Sequence, residues 1–298
     1  MYKNMRDIII LNCPEIPCCD VYKYDYTEIV LTFQEIGYNF KIINDITNIY
    51  DNSIIFLSWA RYIPNIPVNL LHKYAPNAIY MGWYWQDIDV SSLKYFIHMY
   101  ENYFNIQKTF ILYHDFTKSK SFKNSCPILL RVNEHPRNIG QYERNVVRDY
   151  CYMGWDYGFG YLLPTKFDGM FHGVKDHKKY LSYEQRKEIA LSSHFMLGFQ
   201  CYDNTQNGHV SKRIYEGLAF GCIVLTNSIP AVEQTNGICI YITSKEDIED
   251  KMKYYLDNPE EMKKKQEGGY EFIKKYGTNY NTIEIFRKTI KDCFDIVT

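Results

Sequence analysis

The sequence predicts an α/β protein built from two parallel sheets, each covered by helices on both faces. Three observations carry that expectation. Short apolar runs alternate with segments whose apolar residues recur at helical spacing. The alternation runs twice, with a second series beginning at RDYCYMGW (148–155). A chain of 298 residues, 46% hydrophobic and 23% charged, can bury the cores of two compact domains. Regular strand–helix alternation places successive strands parallel and buried on both sides.

Taken in order, RDIIILN (6–12) is a short apolar strand. DYTEIVLTFQEIG (25–37) sets Ile29, Phe33 and Ile36 at helical spacing and stops at Gly37. FKII, SIIFLSWA and AIYMGWYW read as further strands, with VNLLHKYAPN (68–77) between the last two as a short helix closed by Pro76. LKYFIHMYENYFN (93–105) is helical and TFILYHD (109–115) extended. The second series continues through the helix YEQRKEIALSS, the strand HFMLGFQ, a helix after Ser211, the strand CIVLT and a helical tail. The polar stretch NEHPRNIGQYERN (133–145) is the expected linker. The expected domains are therefore residues 1–140, 141–275 and a closing helix over 276–298, whose Ile283, Phe286, Ile290 and Phe294 form one stripe.

Composition narrows the function classes. A formal net charge of −1 gives no bulk attraction to nucleic acid or an anionic membrane, so neither is expected as a partner and any basic site must be local. No apolar run reaches the roughly 18 residues of a membrane span. IIIL is four residues long against roughly 7 to 15 for the core of a signal peptide, so a first strand is expected instead. Nine scattered cysteines without paired spacing suit a reduced, cytoplasmic protein. Cys13, Cys18 and Cys19 lack CxxC spacing, a second pair and a nearby His, which argues against zinc.

The richest segment is GHVSKRIYEGLAFGCIVLTNSIPAVEQ (208–234). Ser211 can cap a helix whose first turn carries Lys212 and Arg213, so the positive end of the helix dipole and two cations would face one anion. A diphosphate fits. One turn on, Glu216 is an acceptor-only group suited to sugar hydroxyls, while Gly217 and Gly221 keep the backbone close.

This pattern of Ser, two basic residues, Glu216, Leu218, Ala219 and Gly221 before a buried strand resembles the donor-binding half of GT-B glycosyltransferases, in the group 1 branch that includes spore-maturation-type proteins. The likeness continues through DIEDKMKYYLDNPEEMKKKQEGGYEFIKKYGTNYN (247–281). It implies two Rossmann-like domains facing a cleft, with the last helix crossing back to the first domain. It also implies Arg213, with Lys212, at the phosphates of a nucleotide-sugar donor and Glu216 on the ribose. Retaining members place another Glu eight positions before the ribose Glu. Here Gly208 stands there, which leaves stereochemistry open and admits an inverting, fucosyltransferase-like enzyme.

By position, MGWDYGFGY (153–161) is similar to the loop after the first donor-domain strand. Its order GxxxGxG fails the dinucleotide fingerprint. Gly154 could let backbone amides approach the donor, and Trp155 or Tyr157 could stack on a base. Asp87 and Asp89 have DxD spacing. Because the resemblance is to a metal-independent fold, they are expected as general base for an acceptor hydroxyl, Asp87 first, and no metal or cofactor is expected. His209, beside Gly208, could donate to the leaving group, whereas His135 and His172 read as loop residues. NPEE reads as a capped helix start at Asn258, and the lysines at 263–265 as a solvated face. The expected reaction is transfer of a sugar to a glycan or other hydroxyl acceptor. The competing readings are a degenerate nucleotide-sugar-binding module and another nucleotide-sugar enzyme such as an epimerase. The sequence leaves sugar, base, acceptor and oligomeric state open.

Overall fold

The computed structural model describes residues 7–11, 32, 34–35, 37–58, 68–84, 109–113, 125–127, 132–175, 179–206 and 208–294. The chain divides into two units, one of residues 1–129 with 282–298 and one of residues 130–281. The helix expected over 93–105, the cluster Cys13, Cys18 and Cys19, and both Asp87 and Asp89 lie outside the described residues, as does the helix over 25–37 apart from Thr32, Gln34 and Glu35, which are helical, and Gly37, a turn residue at φ +96°.

The first unit holds a parallel sheet of β1 (Asp7–Leu11), β2 (Phe40–Ile43), β3 (Ser53–Ser58), β4 (Ile79–Tyr84), β5 (Thr109–Tyr113) and β6 (Ser125–Pro127), in the order β2-β1-β3-β4-β5-β6. In β1 and β3 the successive pairs Ile8, Ile9 and Ile54, Ile55 are all buried, the pattern of strands covered on both faces. Helix α1 (Val68–Tyr74) joins β3 to β4, with Leu71 and Ala75 buried and Pro76 following its end. The short strand β6 escapes sequence reasoning because it contains Pro127; a proline is tolerated there because β6 is an edge strand.

The second unit holds β7 (Arg148–Trp155), β8 (Gly169–Val174), β9 (Ser193–Leu197), β10 (Ile223–Thr226) and β11 (Ile240–Tyr241), all parallel, in the order β11-β10-β9-β7-β8. Counted from its own first strand, this sheet follows the path 2-1-3-4-5 that the first sheet also follows. Period-two alternation divides its core. Cys151 and Met153 of β7 join Met196, Ile214, Leu218 and Val224 on one face, while Tyr150 and Tyr152 join Phe195, Leu197, Phe199 and Leu225 on the other. The helices of this unit are α2 (Tyr183–Leu191), α3 (Tyr202–Gln206), α4 (Lys212–Ala219), α5 (Ile229–Gln234), α6 (Lys245–Asp257) and α7 (Pro259–Phe272); of α8 (Asn279–Phe294), residues 279–281 belong to this unit and the rest to the first. A capping box of Ser182 and Gln185 starts α2. Among the described residues, no helix is long and apolar enough to cross a membrane.

Several expectations need correction. His172 is in β8, not a loop. Its strand was hidden by Gly169 and Gly173, which are there because the rings of Tyr150 and Phe171 press on them: an added Cβ would lie 2.1 Å and 2.4 Å from those rings. The supposed linker is packed structure. Ile139 is fully buried, Val132 pairs with Thr278, and buried Glu134 accepts from Tyr142, Tyr183 (3.0 Å) and Lys187 (2.7 Å). Asn258 occupies the cap position of α7, but its amide donates to the Tyr254 carbonyl at 2.7 Å instead of accepting from the helix. Lys265 is not simply solvated, since its ammonium donates to the Gly237 carbonyl at 3.0 Å. Gly217 and Gly221 serve packing: an added Cβ would meet Val224 at 2.8 Å and the Tyr270 hydroxyl at 2.1 Å.

Candidate active site at the sheet switch point

In an open parallel sheet, ligands gather beyond the carboxyl ends of the strands where the winding order reverses. In the second unit that point lies between β7 and β9, because the chain proceeds from β7 outward to β8 and from β9 outward to β10. The end of β7 supplies Gly154 and Trp155; the segment leaving β9 supplies Gly198 to Gln200.

Arg213 packs against the β7 side. Its guanidinium lies over the Tyr152 ring of β7, with Cζ 4.8 Å from the centroid. It also fills the space a side chain at 154 would need, since an added Cβ there would stand 2.2 Å from Arg213 Nη2. Gly154, at φ +152°, is in a region that side chains avoid. Arg213 Nε donates to Ser211 Oγ at 3.2 Å. Nη1 is buried and has no hydrogen-bond partner among the described residues. A buried donor left unpaired is costly unless something else accepts from it, and a guanidinium calls for an anionic oxygen.

The Ser211 expectation is half corrected by this arrangement. Ser211 does occupy the cap position of α4 in extended conformation, but its hydroxyl makes no capping bond to the helix. Arg213 takes the oxygen instead, so Ser211 orients the guanidinium. Lys212 is turned differently from its neighbour. Its ammonium lies 3.8 Å from Glu216 Oε1 and 5.7 Å from the Tyr183 ring centroid.

Glu216 is 1% exposed and gripped by Arg186. Arg186 Nη2 donates to Oε1 at 2.8 Å, and Nε spans both oxygens at 3.2 and 3.1 Å. Burial alone would raise the Glu216 carboxyl, but the charges of Arg186 and Lys212 and the Arg186 hydrogen bonds outweigh it and hold the group below the usual range. Glu216 is therefore ionised, with Oε2 carrying a single hydrogen bond among the described residues.

Aromatic rings border the switch point. The Trp155 ring lies 6.4 Å from both Tyr157 and Tyr180. Tyr157 is half exposed; partial burial and its Cys201 neighbour push its hydroxyl up to about 12, against the pull of Arg213, so it remains protonated at neutral pH. Gly208, at φ +73°, begins the stretch leading into α4, and its carbonyl accepts from Gln234 Nε2 at 2.8 Å. His209 follows it, half-buried, two residues before the Ser211 cap.

Residues 147–286 match the family described as glycosyl transferase-like. The second unit is a glycosyl transferase-like domain. By fold the chain is GT-B. The fold is shared with an alpha-glucosyltransferase solved with UDP (10% identity, 96% of this chain and 100% of that one, TM-score 0.60). It is shared with an alpha-glucosyltransferase solved with UDP and a 13-mer DNA containing an A:G mismatch (11%, 97% and 99%, 0.58). A glycosyltransferase from Rickettsia africae is similar as well (14%, 99% and 100%, 0.52). No curated protein matches the sequence. Because proteins of this fold are solved on DNA, the net charge of −1 does not exclude a nucleic-acid partner, as the sequence reading had it.

Within the glycosyltransferase domain, the structure brings Gly154, Arg213 and Ser211 into contact and sets Trp155 and Tyr157 beside them. Sequence reasoning missed Arg186, Tyr152, Tyr180 and Gln200. The signal for Arg186 was Glu216 itself: a glutamate in the apolar stretch IYEGLAFG needs a buried cation, but nothing local says which one.

Proposed function

We propose that this protein transfers a sugar from a nucleotide-sugar donor to an acceptor hydroxyl, with the donor diphosphate held at the start of α4 and no metal required. The observation that carries the reading is Arg213 Nη1, a buried cationic donor without a partner among the described residues, at the switch point of the glycosyltransferase domain. Arg213 takes a phosphate oxygen, with the helix dipole behind it. Glu216, fixed by Arg186 through both oxygens, has acceptor capacity left on Oε2 for a ribose hydroxyl. Trp155 and Tyr157 offer ring faces to the base. As the bond from sugar to phosphate breaks, the electron pair stays on the leaving diphosphate, where Arg213 stabilises the growing charge. Asp87 is the proposed base for the acceptor proton, with Asp89 next, and His209 the proposed donor to the leaving group.

The test is a thermal-shift panel of UDP-, GDP-, dTDP- and CMP-sugars on wild type and Arg213→Ala without added metal. A donor at ~100 times its Kd stabilises by ~2.7 kcal/mol, a shift of a few degrees. One nucleotide class is expected to stabilise wild type, and Arg213→Ala is expected to lose that response. Transfer to a panel of glycans and hydroxymethylated DNA should then persist in EDTA. A nucleotide response without turnover would favour a degenerate binding module, and no response to any nucleotide would end the donor-site reading. Loss of turnover in EDTA would end the metal-independent reading.

A further inference from the structure

The switch point holds a second unspent donor. Gln200 is 2% exposed, and its Nε2 is buried with no hydrogen-bond partner among the described residues. Its amide cannot simply be turned to hide the problem. Oε1 accepts from the Ser211 backbone N–H at 3.3 Å, which only the oxygen end can do, so Nε2 is committed to the other side. The backbone of Gln200 is clamped as well: its N–H donates to Asn227 Oδ1 at 2.8 Å, and Asn227 Nδ2 donates back to its carbonyl at 3.0 Å. Asn227 directly follows β10, so the next strand of the sheet fixes Gln200 in place.

Ser211 thus meets Gln200 through its amide and Arg213 through its hydroxyl. Two residues anchored on one cap therefore each retain a buried donor without a partner, one neutral and one cationic. A fold that clamps the backbone of a residue at both its N–H and its carbonyl, holds its side-chain amide by the oxygen and leaves the buried N–H₂ unsatisfied has prepared that donor for an acceptor from outside. We propose that Gln200 is a diphosphate-binding residue whose Nε2 donates to a phosphate oxygen beside the one Arg213 takes. A neutral donor suits this place: it adds a directional contact to an anion already neutralised by Arg213 and rejects ligands without the phosphates. The inference rests on the reading of Arg213 as the diphosphate site.

The experiment is isothermal titration with UDP, GDP and dTDP. The nucleoside diphosphate that binds wild type, and its parent nucleoside, are then measured on Arg213→Ala, Gln200→Glu and Gln200→Met. Gln200→Glu keeps the oxygen that Ser211 uses and replaces the free donor by a negative oxygen. It should weaken diphosphate binding by about 100-fold, as like charges do when juxtaposed, and leave nucleoside binding within about two-fold. Gln200→Met removes the donor together with the oxygen that Ser211 uses, adds no charge, and should cost at least about 10-fold on the diphosphate while sparing the nucleoside. Wild-type diphosphate affinity in Gln200→Glu overturns the proposal. So does an equal loss for nucleoside and diphosphate, which would make Gln200 structural, and so does failure of both variants to fold. Should Arg213→Ala bind the diphosphate like wild type, or should none of the nucleotides bind wild type, the underlying site reading fails instead and takes the inference with it.

Discussion

Arg186 and Arg213 belong to one unit and both serve α4, yet one is fully spent and the other is not. Arg186 gives Nε and Nη2 to Glu216 and Nη1 to the Leu181 carbonyl at 2.9 Å. Arg213 gives Nε to Ser211, stacks over Tyr152 and leaves Nη1 without a partner among the described residues. Two arginines so close in chemistry separate by accounting alone. The spent one holds the scaffold together; the unspent one is the proposed ligand contact. The contrast turns a glycosyltransferase fold into specific claims about which cation does what.

The largest expected effect breaks the scaffold side of that contrast. Glu216 is ionised and 2% exposed at its side chain, so Arg186→Ala strands a buried charge and should cost about 3–5 kcal/mol in urea denaturation. Adding Glu216→Gln should recover part of the loss, since the stranded charge is then gone. Arg213→Ala should shift stability by less than about 1 kcal/mol while weakening nucleotide binding, to a residual affinity, enough to remove the thermal-shift response. If the stability losses of the two arginine variants were equal, the distinction between scaffold and site would collapse.

A smaller effect sharpens the binding side. Gly154→Ala puts a Cβ where Arg213 Nη2 now lies, 2.2 Å away, on a backbone at φ +152°. Strain of that kind costs about 1–3 kcal/mol, and the displaced guanidinium should lose about 10-fold in nucleotide affinity. In an Arg213→Ala background the affinity cost should vanish, because nothing remains to displace. A double-mutant cycle in which the two binding losses simply add would show that Gly154 acts on the nucleotide directly.

The contrast also explains what the sequence could disclose. Strands β7, β9 and β10 were legible because buried parallel strands are apolar runs whatever surrounds them. The strand β8 was not, since its two glycines answer to rings of Tyr150 and Phe171 that only the folded sheet brings near. The place of Arg213 in the first turn of a helix was legible because it is a local fact. Arg186 meets Glu216 across 30 positions, and Gln200 meets Asn227 across 27, so neither pairing has a local signature. The polar stretch around Glu134 looked like a linker for a related reason. Composition cannot tell a polar group facing water from one buried against Tyr142, Tyr183 and Lys187. Asn258 and Ser211 show the same limit at finer scale: each cap position was readable, while the partner chosen by each side chain was not.

The smallest expected effect uses a third, fully spent charge as a control. Glu249 of α6 is 5% exposed, accepts from the Thr165 N–H at 2.9 Å and lies 2.7 Å from Lys166 Nζ. The hydrogen bond from Lys166 and that from the Thr165 backbone hold its carboxyl down at about 2, against an ordinary value of 4.5. The unfolded chain therefore binds this proton first as pH falls, so the stabilisation is whole above about 4.5 and is lost on the way down to about 2. Glu249→Gln should be less stable than wild type at pH 7 and should converge with it near pH 2. Its nucleotide binding at pH 7 should be unchanged, because the pair ties α6 to the loop before β8 and touches nothing at the switch point. Urea denaturation across that pH range checks the convergence. Curves that stay parallel would mean that the ion pair adds nothing to stability, and that satisfied hydrogen bonding alone does not mark a scaffold charge.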